Sequence, residues 1–463
     1  MTFPKPDASA AQAAVAEDLR LRMALVTEEI MQRAPENEIE PTLDRVARVM
    51  DLMGSPQHTF KVIHLTGTNG KTSTTRMVER LLREMGLTTG RFTSPHLHDI
   101  RERVAINGVP ISEQRFLDAY DDVLPFVQMV DVESAESGGV RMTYFELIVV
   151  LAYAAFADAP VDVAVIEVGL GGVWDATNVA DGQVSVVTPV SIDHTRLLGD
   201  TLEAIATEKR GIIKPGAIAI VGEQEPEVMS LMIERCDEVG ATLQAQGIAF
   251  GVTDSEVAVG GQLLSIQGLA GTYTELFMPL HGAYQGHNAS MAVAAVEAFI
   301  GGGEQRLTDE VIRGAFEGMS SPGRLEIVRR SPTVIVDAAH NPGGMHALVE
   351  AMRDSFTVHR LIGVLAILDD KEAEKMVALL EPILDHVVVT RTTSPRAIRP
   401  SRLGEIAAGY FGEDRVTIVD ALPDALDIAA GMADEGGMSG AVLATGSVVT
   451  AAEVRMLLGH TDV

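Results

Sequence analysis

Residues 62–76 read Val62-Ile63-His64-Leu65-Thr66-Gly67-Thr68-Asn69-Gly70-Lys71-Thr72-Ser73-Thr74-Thr75-Arg76. An apolar run stops at Thr66, a glycine-bracketed loop follows, and Lys71-Thr72-Ser73 opens a helical pattern. A strand, loop and helix N-terminus in succession aim backbone N–H groups and a helix dipole at one spot, which attracts a polyphosphate. In such loops the lysine reaches the β- and γ-phosphates and the next hydroxyl faces phosphate or Mg²⁺. Here those residues are Lys71 and Thr72. The common loop is G-x-x-x-x-G-K-[ST]. Counting back from Gly70 puts Leu65 at its first position, so Gly67–Thr72 is a compact form.

The 463-residue chain carries a net charge of −29, with 46% hydrophobic and 22% charged residues. Its length suggests two or three domains with ample core. Such acidity argues against nonspecific nucleic-acid binding, which needs a basic face. An anionic substrate would have to meet locally concentrated Lys, Arg or metal. The single cysteine, Cys236, excludes an intrachain disulfide and fits a reducing compartment. Lying in the helical stretch Glu227–Glu238, it reads as a buried, inert thiol. The alanine-rich start, Met1–Ala16, has no basic segment ahead of an apolar one, so no signal peptide is expected. The longest apolar run, Leu147–Ala157, is too short to span a bilayer. The expectation is a cytoplasmic monomer with small-molecule substrates and neither membrane nor nucleic-acid partners.

From about residue 61, short β-branched runs alternate with amphipathic helices. Strands are predicted at Lys61–Leu65, Val161–Val168, Val184–Val187 and Ile218–Val221, and helices at Thr72–Met85, Glu113–Val127, Tyr144–Phe156 and Thr201–Arg210. That alternation implies a mostly parallel sheet covered on both faces. Ser134–Gly139 reads as a polar loop, 241–280 as antiparallel strands and Tyr284–Ile300 as helix. Met319–Arg324, with Pro322 and Gly323, reads as a linker. Beyond it strands are predicted at Thr333–Val336, Leu361–Leu365, Val387–Val389, Val416–Val419 and Ala441–Ala444. The expected architecture is α/β. A large P-loop-type, mostly parallel sheet domain with helices on both faces would cover residues 1–322, and a smaller Rossmann-like α/β domain 323–463.

Other motifs follow the loop. Thr93-Ser94-Pro95-His96-Leu97 ends another predicted strand, although Ser-Pro alone is a common turn. Glu167 closes an apolar strand and precedes Gly169, Gly171 and Gly172, then Asp175-Ala176-Thr177-Asn178. That is where α/β sheets place ligand-binding groups. Glu167 suits Mg²⁺ as a hard oxygen ligand, or it caps the turn that follows. Asp193-His194 and Glu208-Lys209 are, taken singly, as readily structural, since a lysine near a helix end complements the dipole.

In order, Gly67–Lys71, Ser94–Leu97, Glu167–Gly172 with Asp175–Asn178, Asp193-His194 with Leu198–Thr201, and Glu208-Lys209 with Gly211–Lys214 make one set. The set resembles the folylpolyglutamate synthase and dihydrofolate synthase family, within the Mur-ligase-like ATP-dependent ligases. Leu280–Gln285 with Asn288-Ala289, Ser321–Glu326, Asp337–Pro342 and Ala444–Ser447 extend the likeness over roughly residues 40–455. Glu167–Asn178 and Asp337–Pro342 carry the folate branch, whereas the loop and Glu208-Lys209 belong to the wider superfamily. The resemblance implies that ATP phosphorylates a carboxylate of dihydropteroate or a folate. The amine of L-glutamate then displaces phosphate through a tetrahedral intermediate. Two anions meeting in an acidic protein require metal ions and preorganised donors.

By that resemblance Gly67, Thr68, Asn69, Gly70, Lys71 and Thr72 hold the ATP phosphates. Ser94 and Glu167 would ligate a first Mg²⁺ and His194 a second. Lys209 aligns with a lysine carried as a carbamate, which requires a neutral amine and so a lowered pKa. Lys71, His194 and Lys209 are the implied catalytic residues. Asn288, Arg324, Asp337 and His340 match nucleotide contacts, so domain closure would complete the site. Thr143, Tyr144, Phe145 and Glu146 open a helix at the pteroate end. Trp174, the only tryptophan, reads either as a stacking surface or as core. Ser394 and Arg396 are assigned to glutamate, and a monovalent cation such as K⁺ is left open. Two other readings remain. One is a peptidoglycan-precursor ligase of the same superfamily, against which the folate-branch motifs and the lack of an evident N-terminal UDP-binding domain argue. The other is a simple NTPase or nucleotide-binding regulator, which uses Lys71 but leaves Glu167, His194 and Lys209 without a joint role.

Overall fold

The computed structural model describes residues 8–35, 41–435 and 440–461. Strand β1 (Lys61–Thr66) is buried from its second residue on and lies inside an eight-stranded sheet. Its companions are β2 (Thr89–Phe92), β3 (Val104–Ile106), β4 (Val109–Pro110), β5 (Val163–Glu167), β6 (Val184–Val187), β7 (Ile218–Val221) and β8 (Thr242–Ala245). They run in the order β4-β3-β2-β5-β1-β6-β7-β8. Neighbours from β2 to β8 are parallel, and β3 and β4 extend the edge antiparallel. The central strands are continuous apolar runs because helices cover both faces. Ile63 and Leu65 meet the Lys71–Glu84 and Ala283–Gly301 helices on one face, and Val62 meets the Glu113–Glu136 and Tyr144–Asp158 helices on the other.

Two sequence expectations change here. Ser134–Glu136 belong to the Glu113–Glu136 helix, because they continue the exposed face of a helix that buries Val123, Val127 and Val130. The 241–280 stretch is not wholly antiparallel. Strand β8 follows the Pro226–Val239 helix and returns as a parallel edge to β7, the usual outcome of a strand–helix–strand crossover. Only β9 (Gly251–Ala258), β10 (Gly261–Gln267) and β11 (Thr272–Met278) form the antiparallel sheet. Cys236 is buried in its helix.

The second sheet comprises β12 (Glu326–Arg330), β13 (Thr333–Val336), β14 (Arg360–Leu365), β15 (His386–Arg391), β16 (Val416–Ala421) and β17 (Gly440–Thr445), in the order β12-β13-β17-β14-β15-β16. All pairs are parallel except β12 with β13. Strand β12 was not predicted; its charged, half-exposed residues suit a sheet edge rather than a core run. Separate apolar cores line its two faces. Residues 318–325, between the Asp309–Glu317 helix and β12, connect the first sheet's half of the chain to the second. In both sheets the carboxyl ends of central strands open onto one cleft, the position where parallel sheets bind ligands.

Candidate functional site

The cleft is a cavity of about 660 Å³ walled by both domains. The phosphate loop forms its floor. Gly67 has φ +140°, and a Cβ there would fall 1.9 Å from Thr188 Oγ1. Gly70 has φ +87°, and its Cβ would fall 2.5 Å from Asn288 Oδ1. Both positions therefore demand glycine. Lys71 opens its helix and donates Nζ to the carbonyls of Gly67 and Thr68, each at 3.1 Å. Burial lowers its pKa, with Glu167 and Asp193 opposing.

Glu167, 1% exposed at the end of β5, accepts the Thr72 hydroxyl at 2.8 Å and the Ser94 amide at 3.4 Å. Burial raises its pKa, and the Lys71 charge opposes this most strongly. Among the described residues no cluster of three or more His, Cys, Asp or Glu side chains could hold a metal. Mg²⁺ asks for less: it keeps several waters and takes one or two carboxylates plus phosphate oxygens. The cavity-lining residues Thr72, Ser94 and Glu167 supply hard oxygen donors beside the phosphate loop, so they fit such an ion.

His194 takes a left-handed backbone, φ +51°, which turns it into the cavity. It lines the cavity with 42% of its side-chain surface open. The cleft walls, aided by Lys371 and Lys71 against Asp193, push its pKa down to about 3 and leave a neutral imidazole. Asp193 accepts Lys371 Nζ at 2.7 Å and Asn341 Nδ2 at 2.8 Å. Burial would raise the Asp193 pKa, but His194, Lys371 and His340 together hold it below the usual carboxylate range. Lys209, 4% exposed, donates Nζ to the Gly67 carbonyl at 2.7 Å. Burial, then the Lys71 charge, lowers its pKa to about 7.

From the second domain, Asp337 at the end of β13 accepts the amides of Leu325 at 2.9 Å and Ala339 at 2.8 Å. Burial raises its pKa against the Arg324 charge. His340 Nδ1 lies 2.9 Å from the Ala338 carbonyl, and burial, then Lys371, lowers its pKa to about 4. Arg324, Asp337, His340 and Asn288 all line the cavity.

The residues around the start of the Tyr144–Asp158 helix divide. Thr143 and Glu146 form a reciprocal cap on the Tyr144–Asp158 helix, and Glu146 also pairs with Arg45 at 3.0 Å. Thr143, Phe145, Glu146 and Trp174 all line the cavity. Tyr144 does not; it is buried with the Arg103 guanidinium 5.1 Å from its ring centre. Arg396 lines the cavity and pairs with Asp370 at 2.5 Å. Ser394 lies off it, accepting the Arg396 amide at 3.3 Å.

Sequence reasoning missed Asn341 and Lys371, which join the two domains through Asp193; Asn341 Nδ2 also donates to Asn69 Oδ1 at 3.2 Å. Asn341 stood inside the quoted Asp337–Pro342 motif, but Lys371 follows two aspartates in a loop with no spacing signal.

Comparison with known proteins agrees with this geometry. The Mur ligase middle domain matches residues 65–296, and the Mur ligase glutamate ligase domain matches 323–448. The chain is 44% identical to the Mycobacterium tuberculosis dihydrofolate synthase/folylpolyglutamate synthase, with 98% of each chain covered. It is 31% identical to the Bacillus subtilis protein of the same name, over 91% of this chain and 95% of that one. The solved structure of Mycobacterium tuberculosis folylpolyglutamate synthase complexed with ADP superposes with a TM-score of 0.91 at 43% identity, covering 95% of this chain and 99% of that chain. With the cavity lying between the two matched regions, the chain belongs to the dihydrofolate synthase/folylpolyglutamate synthase family of Mur-type ATP-dependent ligases.

Proposed function

We propose that this ligase attaches L-glutamate both to dihydropteroate and to the γ-carboxylate of folate glutamates, at the expense of ATP. One observation carries the reading. A single cavity collects the phosphate loop, Glu167, His194 and Lys209 from one domain and Arg324, Asp337, His340 and Lys371 from the other. Lys71, Arg324 and Lys371 thus set positive charge, beside the neutral imidazoles of His194 and His340 and the carboxylates of Glu167 and Asp337, around a space where two anionic substrates must meet. Lys71, now bonded to its own loop, can exchange the Gly67 and Thr68 carbonyls for phosphate oxygens. A substrate carboxylate oxygen attacks the γ-phosphorus and ADP leaves; the glutamate amine then attacks the acyl carbon and phosphate leaves. Lys71 and Arg324 stabilise charge on the transferred group. Mg²⁺ held by Thr72, Ser94 and Glu167, with a second ion at His194, would supply further charge neutralisation.

Lys209 has the lowered pKa and burial that carbamate formation needs, since only a neutral amine reacts with CO₂. Phe145 and Trp174 offer an aromatic wall for the pteroate, and Arg396 a cation for glutamate. We place the domain boundary at 322/323, between the two sheets, and the enzyme in a reducing, cytoplasmic compartment as a monomer. The lone buried thiol of Cys236 supports that compartment, and no described helix is long and apolar enough to cross a membrane. The test is phosphate release with ATP, Mg²⁺ and L-glutamate, in the presence of dihydropteroate or tetrahydrofolate. Turnover with both acceptors is expected. No turnover with either overturns the reading, and ATP hydrolysis indifferent to acceptor supports a simple NTPase instead.

A further inference from the structure

The loop that carries Ser94 is anchored on one side by its own domain. The Glu102 carboxylate accepts the amide of Leu97 at 2.7 Å and those of His98 and Asp99 at 2.8 Å. On its other side the loop reaches the second domain, where Arg455 Nη1 donates to His98 Nε2 at 3.0 Å. Arg455 is buried and projects from the Val448–Leu457 helix, whose first residue lines the cavity. Its Nε donates to Glu326 Oε2 at 2.8 Å, and the same oxygen accepts the amide of Gly323 in the linker at 2.7 Å. Loop and linker also lie close together, since a Cβ on Gly323 would fall 3.7 Å from Leu97 Cδ2. Behind this seam is a cavity of about 30 Å³, bordered by Thr72, Arg76, Glu102 and Arg324. One guanidinium thus holds the Ser94 loop at His98 and, through Glu326, the linker at Gly323, the residue before Arg324.

The chemistry of the contact is restrictive. A guanidinium has no acceptor, so His98 Nε2 must accept and the imidazole is neutral, with its proton on Nδ1. Burial lowers the His98 pKa against the opposing Glu102 charge, with Arg455 adding to the lowering, in keeping with that form. Glutamine offers an equivalent acceptor and alanine none. Lysine at 455 lacks the planar fork that serves Glu326 and His98 at once.

We propose that Arg455 and His98 are positioning residues for ligation: their contact seats the Ser94 loop only when the second domain is docked on the linker. The metal end of the site is then assembled by closure itself. This rests on the reading of Ser94 as a metal-side residue. Calorimetric titration with ADP, with and without Mg²⁺ and in the absence of folate and glutamate, tests it. His98→Ala and Arg455→Lys should each weaken Mg²⁺-ADP binding about tenfold, with metal-free ADP affinity unchanged. His98→Gln should stay near wild type. If Ser94→Ala removes the Mg²⁺ enhancement while His98→Ala and Arg455→Lys keep it, the positioning role is overturned and the metal reading stands. If Ser94→Ala keeps the enhancement, the metal reading falls and the positioning role with it. Equal losses with and without Mg²⁺ mark a purely structural effect and also overturn the proposal. His98→Asn against His98→Gln, which differ only in acceptor reach, repeats the comparison with the least disturbance of folding.

Discussion

Lys71 and Lys209 are two buried amines that share the Gly67 carbonyl, and their environments separate their tasks. Lys71 has Glu167 and Asp193 to favour its charge, which suits the phosphate contact proposed for it. Lys71→Ala should lower kcat by about 10²–10³-fold, as loss of one preorganised donor to transition-state charge does; steady-state kinetics at saturating ATP checks this. Lys209 is held near pKa 7, below its ordinary 10.5. Between those values the unfolded chain binds a proton that the folded chain does not, so this group's contribution to stability rises with pH. Below pH 7 the buried charge costs its full amount. Lys209→Met should therefore gain most in Tm, relative to wild type, below pH 7. That gain should shrink as pH rises towards 10.5, in CO₂-free buffer. A Tm difference that is flat across this range would count against the buried cation. The same variant should lose ligation. Both lysines were legible in the sequence because each sits in a short motif, whereas their shared acceptor is visible only in three dimensions.

At the scale of elements, the strand–loop–helix unit built on β1 explains why the compact loop works without a glycine at position 65. Leu65 is fully buried in the sheet, and the turn begins two residues later at Gly67, under Thr188. Gly70 lies close against Asn288 of the Ala283–Gly301 helix, so the loop's shape and the place of Asn288 are set together. Gly70→Ala meets both a positive φ and a contact at 2.5 Å. It should cost about 1–2 kcal/mol of stability and weaken ADP binding, read by urea unfolding and by calorimetry. The helix opened by Thr143 shows the limit of motif reading. Of its four predicted residues, Thr143, Phe145 and Glu146 line the cavity, Thr143 and Glu146 also capping the helix, whereas Tyr144 is buried under Arg103. Consecutive helical residues point in different directions, so a motif names a place and not a set of contacts.

For the whole molecule, the docking of two separately cored domains is what makes the site. The Asp193–Lys371 pair spans the cleft at 2.7 Å with both side chains largely buried. Removing one member leaves a buried charge uncompensated, which costs about 3–5 kcal/mol where breakage is complete. Lys371→Met should therefore loosen the second domain, seen as a larger radius of gyration in solution scattering and a separate early unfolding transition. The double variant Asp193→Asn/Lys371→Met should recover part of that loss. A compact single variant with unchanged unfolding would show that other contacts hold the domains.

By itself the sequence determined the strand–loop–helix unit at β1, the strand–helix alternation behind both sheets, and the family. All of these are written in residues near one another along the chain, where spacing and periodicity act. Strand β12 escaped because an edge strand needs no apolar run, and β8 was misread because its direction depends on the helix before it. Only the tertiary structure decided that Asp193 meets a lysine 178 residues away and that Arg455 meets His98 across 357 residues. Such pairings follow from sheet order and domain docking, and no local pattern in the chain records them.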